Sequence, residues 1–377
     1  MYCCLCNRNI LRRKTSAWPY VWWEYVELKM KADVNWKVYV PTAWRTRSNA
    51  SYWTPFDWYV SVWNSEPVHI SWNSARQWYR EVMSWLTPWE FYYIKITPYH
   101  IDEDTWLPDY WWLRWFWMWW DSAWWSPLTY KNPIADYLYE VVYDWSFMWY
   151  AVSETSLWDW FKCAQFAWCT NLTKPVPEVD ISQVTSIWFY YREAQYAWCT
   201  SLQYSATESI SDLLTTIWVW FREHQYYWCT SLSTASDEHD AANMTNPWHS
   251  YREWQYRYCT SLRVTWPENP PQTLHWWNEY KYNQYDWCTW ITTISRVQYL
   301  SWQWNTSYRW DQFKDCWSQS SPITAYFYWT WVIEWSTNSL WLIDANVYRI
   351  YVPSNLVNAY RNSPNWTNIT STKFVWM

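Results

Sequence analysis

Glycine does not occur anywhere in the 377 residues, although a chain of this length would carry about 26 at the usual share of roughly 7%. That absence removes the ordinary means of building tight turns, because glycine accepts φ > 0 without steric cost. Long apolar runs are also missing. No stretch reaches the roughly 18 apolar residues of a membrane-spanning helix, and Trp111–Trp120 is short and holds Arg114. Basic clusters are absent apart from Arg12, Arg13 and Lys14, and 28 basic against 34 acidic residues leave a net charge of −6. A nucleic-acid partner needs a basic stripe and is therefore not expected. None of the six histidines sits in an HExxH pattern or beside a recognisable nucleophile motif, so no catalytic residue and no cofactor is expected.

What is present in excess is tryptophan, with 48 copies. Many occupy places where turn chemistry calls for glycine. Asn35-Trp36 lies between two strand-like runs, where Asn-Gly would be the usual hairpin signal. Trp89 follows Pro88 ahead of a strand-like run, where Pro-Gly would be the usual turn. Most Trp are read here as standing for Gly. A gene that uses UGA for glycine, translated with a table that reads UGA as tryptophan, would give this pattern. The lack of any glycine from the ordinary codons is not covered by that cause, and a deliberately altered sequence is the alternative. UGG codons at Trp36, Trp89 and Trp198 would exclude the recoding. Forcing a bulky residue to φ > 0 costs on the order of 1–3 kcal/mol per site.

The chain is long enough for more than one core. Residues 1–18 read as a leader or disordered start without the apolar segment of a signal peptide, so an exported protein would have its signal missing through truncation. Residues 19–131 read as an all-β, sandwich-like domain with a polar connection from 101. Its expected strands are Tyr25–Lys31, Lys37–Val40, Trp58–Val62, Pro67–Ile70 and Phe91–Ile96. The last follows "LTPW" and resembles the fibronectin type III pattern, with Tyr92 as a tyrosine corner. In residues 134–144, Ile134, Leu138 and Val141 or Val142 fall on one helical face, which predicts a short helix.

Residues 132–319 repeat. Gln165, Gln195, Gln225, Gln255, Gln284 and Gln312 recur at intervals of 30, 30, 30, 29 and 28 residues. An aromatic follows each, and three residues later comes Cys169, Cys199, Cys229, Cys259, Cys288 or Cys316. Leu172, Leu202, Leu232 and Leu262 close four copies, and Lys162, Arg192, Arg222, Arg252, Lys281 and Arg309 precede the Gln by three. Trp158, Trp188, Trp218, Trp248 and Trp277 precede it by seven and are read as turn glycines. A unit of thirty residues cannot bury its own apolar side, so six units must stack. The recurring aromatic, Cys and Leu then form an inward ladder whose cysteines are expected as buried thiols, with disulfide pairing between adjacent coils, or metal binding, as the alternative. "YREAQY" is placed in a short helical or 3₁₀ stretch, and "VTSI" and "LTTI" in short strands.

"VTSIWFYYREAQYAWCTSL" and "LTTIWVWFREHQYYWCTSL", with Trp read as Gly, resemble BspA-like leucine-rich-repeat surface proteins, which carry "TSIG" and then an aromatic two residues short of "GCTSL". The resemblance covers about residues 145–319. The C-terminal segment 320–377 resembles the closing part of such proteins, with a strand, Pro353, a helix carrying Leu356, Val357 and Tyr360, and a genuine tryptophan at Trp366. It implies an α/β leucine-rich-repeat-like solenoid behind the sandwich-like domain, at the cell surface or outside the cell, binding an unknown protein or glycan ligand, often in adhesion.

Other chemistry is weighed against plainer readings. With Trp106 read as Gly, Asp102, Asp104 and Asp109 form an Asp-x-Asp loop with a faint likeness to a calcium loop, and a solvated acidic loop is the favoured reading. "DEHD" at 237–240 reads as a polar insertion, and Cys3, Cys4 and Cys6 lack the further ligands of a zinc site. The aligned Lys and Arg are expected as a solvated stripe paired with Glu193, Glu223 and Glu253, with an anion- or glycan-binding face as the alternative. Non-catalytic binding is the expected function. A surface enzyme with targeting repeats, or a structural subunit of an envelope or virion appendage, are the alternatives.

Overall fold

The computed structural model describes residues 26–33, 37–41, 44–46, 57–62, 68–70, 79–84, 86–87, 90–99, 113–116, 135–144, 156–157, 161–176, 181, 183–206, 213–235, 246–247, 249–265, 281–297, 311–316, 322–328, 332, 342 and 344–377. By backbone proximity the chain divides into two units, Met1–Phe116 with Val141–Ser146, and Trp117–Glu140 with Phe147–Met377.

The first unit holds strands β1 (Val26–Lys31), β2 (Val38–Pro41), β3 (Trp44–Thr46), β4 (Asp57–Val62), β5 (Val68–Ile70), β6 (Tyr79–Met83), β7 (Phe91–Tyr99) and β8 (Leu113–Phe116), paired antiparallel, and the second half of β9 (Leu138–Asp144), whose Leu138–Glu140 are assigned to the second unit. One sheet has the order β5-β4-β7-β1-β9, while β2 pairs with β6 and β3 with β8. The period-2 alternation of β1 decides its face. Val26, Leu28 and Met30 are buried opposite Ile96, Ile94 and Tyr92 of β7, so the cross-strand pairs lock the register. Tyr92 is buried, its hydroxyl accepting the Thr87 N–H at 2.9 Å and donating to the Thr87 carbonyl at 3.4 Å. This is the backbone tie that the tyrosine-corner reading predicts. Asn35, Trp36 and Trp89 lie outside the described residues.

Two local expectations are corrected. Ile134 lies outside the described residues, and 135–144 do not form the expected helix. A 3₁₀ turn at Ala135–Tyr137 leads into strand β9, because Tyr139, Val141, Val142 and Tyr143 lose side-chain freedom in a helix and suit a pleated surface. The polar connection from 101 contains strand β8, whose Leu113, Trp115 and Phe116 are strand formers that pair with β3.

In the second unit, residues one repeat apart pair in parallel. Strands β10 (Ser156–Leu157), β11 (Ser186–Ile187), β12 (Thr216–Ile217) and β13 (Asn246–Pro247) form one ladder. Leu157, Ile187 and Ile217 point into the core with no exposure. "VTSI" and "LTTI" are thus short strands, as expected, and Pro247, which has no N–H to give, stands on the edge strand. A second parallel ladder runs through Tyr204, Thr234, Val264 and Thr293. It is continued by the sheet β14 (Thr293–Val297), β15 (Ile323–Phe327), β16 (Val347–Val352) and β17 (Phe374–Trp376).

Between the ladders, "YREAQY" does not form a regular helix. Its backbone alternates. Gln195, Ala197 and Cys199 donate to carbonyls three residues earlier, while Ala194, Tyr196 and Trp198 donate to the next repeat's Glu223, Gln225 and Tyr227. Among the described residues twenty, most of them in these turns, hold φ between +49° and +66°, a conformation that interrupts helical propagation.

The C-terminal part follows the expected order of strand, Pro353 and helix. Helix α1 (Val357–Arg361) buries Val357 and Tyr360. Trp366 is 1% exposed and meets Tyr360 and Phe374 edge-on at 5.7 Å each, so its indole fills the core of this end.

Candidate functional site

The recurring Gln, Cys and adjacent aromatic residues of the repeat sit inside, in columns that run from one unit to the next. Each Gln side chain donates its amide to the Gln before it: Gln195 to Gln165 at 3.2 Å, Gln225 to Gln195 at 3.2 Å, Gln255 to Gln225 at 3.1 Å, Gln284 to Gln255 at 3.1 Å and Gln312 to Gln284 at 3.0 Å. All six are at most 1% exposed. A buried amide is costly unless paired, and an unbroken chain of amides satisfies every link. Beside it Phe166, Tyr196, Tyr226, Tyr256, Tyr285 and Phe313 stack with centroids 5.3–5.7 Å apart.

The thiols of Cys199, Cys229, Cys259, Cys288 and Cys316 donate to the carbonyls of Phe166, Tyr196, Tyr226, Tyr256 and Tyr285 at 2.6–3.1 Å. Cys169 and these five are free and buried. Burial pushes the thiols of Cys199, Cys229, Cys259 and Cys288 well above the ordinary range, which leaves them protonated and unreactive. The Gln and Cys columns are therefore framework.

The Lys and Arg column is corrected. Lys162, Arg192, Arg222, Arg252 and Lys281 are 0–1% exposed, neither a solvated stripe nor a binding face. The guanidinium of Arg222 lies 5.6 Å from the Tyr191 ring and 5.2 Å from the Phe221 ring, and Arg252 lies 5.9 Å from Phe221 and 5.4 Å from Tyr251. Those rings themselves stack at 5.0–5.5 Å from Phe161 to Tyr251. Flat, weakly hydrated guanidinium suits such a column. The signal was present in the sequence, since an aromatic immediately precedes Lys162, Arg192, Arg222, Arg252 and Lys281.

What varies between repeats is outside. Next to the buried Leu172, Leu202, Leu232, Leu262 and Ile291, the second ladder carries Thr173-Lys174, Gln203-Tyr204, Ser233-Thr234, Arg263-Val264 and Thr292-Thr293. All are exposed or half-buried, with Tyr204 at 41% and Val264 at 43%. Trp290, 44% exposed, is reached by the Arg263 guanidinium at 5.3 Å.

One cluster of ionisable groups was not foreseen. Glu193 and Glu223 share a position in consecutive repeats, and His224 follows. One ligand atom from each lies within 4.8 Å of the others. His224 Nδ1 stands 3.2 Å from Glu223 Oε1, and the Cys163 thiol donates to Glu193 Oε2 at 3.7 Å. Burial, with the Glu223 charge beside it, pushes Glu193 up to about 8. Burial pushes His224 down to about 4, so its imidazole is neutral at pH 7. The Tyr227 and Trp254 rings pack on His224 at 5.1 and 4.6 Å. Nearby, Arg257 Nε meets Asp286 Oδ2 at 2.9 Å. A comparison of residues thirty apart in sequence would have found the two glutamates together.

Asp102, Asp104 and Asp109, the "DEHD" segment and Cys3, Cys4 and Cys6 lie outside the described residues. No helix among the described residues is long and apolar enough to cross a membrane. The chain matches no protein-family model and no curated protein sequence.

Proposed function

We propose that the chain is a non-catalytic binding protein of the cell surface or extracellular space. In this reading, a leucine-rich-repeat-like solenoid follows a β-sandwich-like domain along the chain and presents its second ladder to a protein or glycan partner. One observation carries it. The recurring Gln, Cys, Leu and their neighbouring aromatics are buried, whereas the exposed rungs Lys174, Gln203-Tyr204, Ser233-Thr234, Arg263-Val264 and Thr292-Thr293 differ from unit to unit. Rungs about 4.8 Å apart on a constant frame form an extended surface whose chemistry changes without disturbing the core. The mixture of hydroxyls, an amide, an aromatic and two cations suits a polar ligand spread over several rungs.

The test uses the full chain on arrays of immobilised glycans and extracellular-matrix proteins, beside the triple variant Lys174→Ala, Tyr204→Ala, Arg263→Ala. Binding by the parent that falls at least tenfold in the triple variant supports the assignment. Equal binding by both, no binding by the parent, or turnover of an arrayed ligand overturns it.

A further inference from the structure

The cluster of Glu193, Glu223 and His224 belongs neither to the internal columns nor to the exposed rungs. Its position follows from the repeat, because stacking sets residues thirty apart beside each other and so places two carboxylates face to face. His224 stands where the two preceding units have Ala164 and Ala194, so the imidazole is added to the glutamate column in this unit. Two carboxylates this close do not both ionise readily without a cation.

The geometry matches a known coordination. Donors about 2.0 Å from a tetrahedral zinc ion are roughly 3.3 Å apart, and His224 Nδ1 and Glu223 Oε1 are separated by 3.2 Å. The third donor is close enough for side-chain rotation to bring it in, since all three ligand atoms lie within 4.8 Å. Cys163 holds Glu193 by its thiol, as an outer partner orients a ligating carboxylate. Tyr227 and Trp254 restrict the imidazole ring. We infer that Glu193, Glu223 and His224 form a site for one divalent transition-metal ion of the zinc class, clamping two consecutive repeats together. The imidazole and the small number of oxygens argue against calcium and magnesium, which take six or more oxygen ligands or keep their waters. Three protein donors leave one position for water. Ligation takes the neutral imidazole and the ionised carboxylates, so entry of the ion releases any proton these three groups carry.

The experiment titrates the full chain with zinc chloride by calorimetry at pH 7, in two buffers of different ionisation enthalpy. The expected result is one ion per chain with proton release. Glu193→Gln and His224→Asn each weaken binding at least tenfold, while Glu253→Gln, in the same column one unit on, leaves it unchanged. Should either variant fail to fold, the cobalt(II) complex of the parent decides. An intense visible spectrum of tetrahedral type supports the site, and a pale octahedral spectrum overturns it. Equal affinity in all variants, or no uptake by the parent, also overturns it.

Discussion

At Trp287 the backbone holds φ at 60° while the indole is 44% exposed. The side chain gains little from burial, yet its Cβ bears the left-handed strain of about 1–2 kcal/mol. Trp168, Trp198, Trp228 and Tyr258, at the same place in other units, hold φ of 62–66°. This column is where glycine is wanted. Trp188 and Trp218, the column read as turn glycines, are not left-handed. They stack on each other at 5.3 Å, and Trp188 donates its indole N–H to Ser156 Oγ at 2.9 Å. Sequence register could show that Trp recurs, but it could not show which column carries φ > 0, because that depends on how neighbouring turns bond. The expected outcome for Trp287→Gly is a gain of about 1 kcal/mol in chemical denaturation, the released strain exceeding glycine's entropic cost. Trp366→Gly, at a buried indole, is expected to lose about 3–5 kcal/mol. A loss at Trp287 comparable to that at Trp366 would contradict the glycine reading.

At the scale of the element, short strands and the closing strand-helix segment were legible because local patterning decides them. The turn stack was not. Its amides bond alternately within the unit and to the next one, and no single-unit pattern shows a neighbour. The buried Arg column was misread for the same reason: a cation every thirty residues reads as solvated until the rings beside it are seen to stack. The stack also sets a pH dependence. Unfolded Glu193 loses its proton near 4.5 and the folded residue near 8, so the folded state binds more protons in that window and stability falls as pH rises through it. Asp286, pushed up to about 6 by burial, adds to the fall at lower pH. His224 acts oppositely between about 4 and 6.5, since there the unfolded chain binds the proton. Above pH 6.5 Glu193 alone of the three still titrates. In metal-free buffer the melting temperature is therefore expected to drop between pH 6.5 and 8, and Glu193→Gln to flatten that slope. An unchanged slope in the variant would assign the dependence to another group.

Over the whole molecule, two kinds of stabilisation are kept apart. The first unit relies on antiparallel cross-strand pairs such as that of β1 with β7 and on the Tyr92 tie to Thr87. The second relies on columns that pass through every repeat, so damage at one rung reaches its neighbours on both sides. Gln225 shows the consequence: it donates to Gln195 and accepts from Gln255. Leu in its place removes both bonds and leaves two buried amide atoms without their ladder partners, at a cost of about 2–4 kcal/mol. Tyr92→Phe removes a side chain–backbone tie worth about 1–2 kcal/mol. If the two units fold as separate cooperative blocks, hydrogen exchange followed by mass spectrometry separates the effects. Gln225→Leu is expected to speed exchange in peptides from 161–265 and leave 26–99 unchanged, and Tyr92→Phe to do the reverse. Faster exchange across the whole chain from either substitution would mean that the molecule unfolds as one block, and the division into two units would then have no thermodynamic meaning.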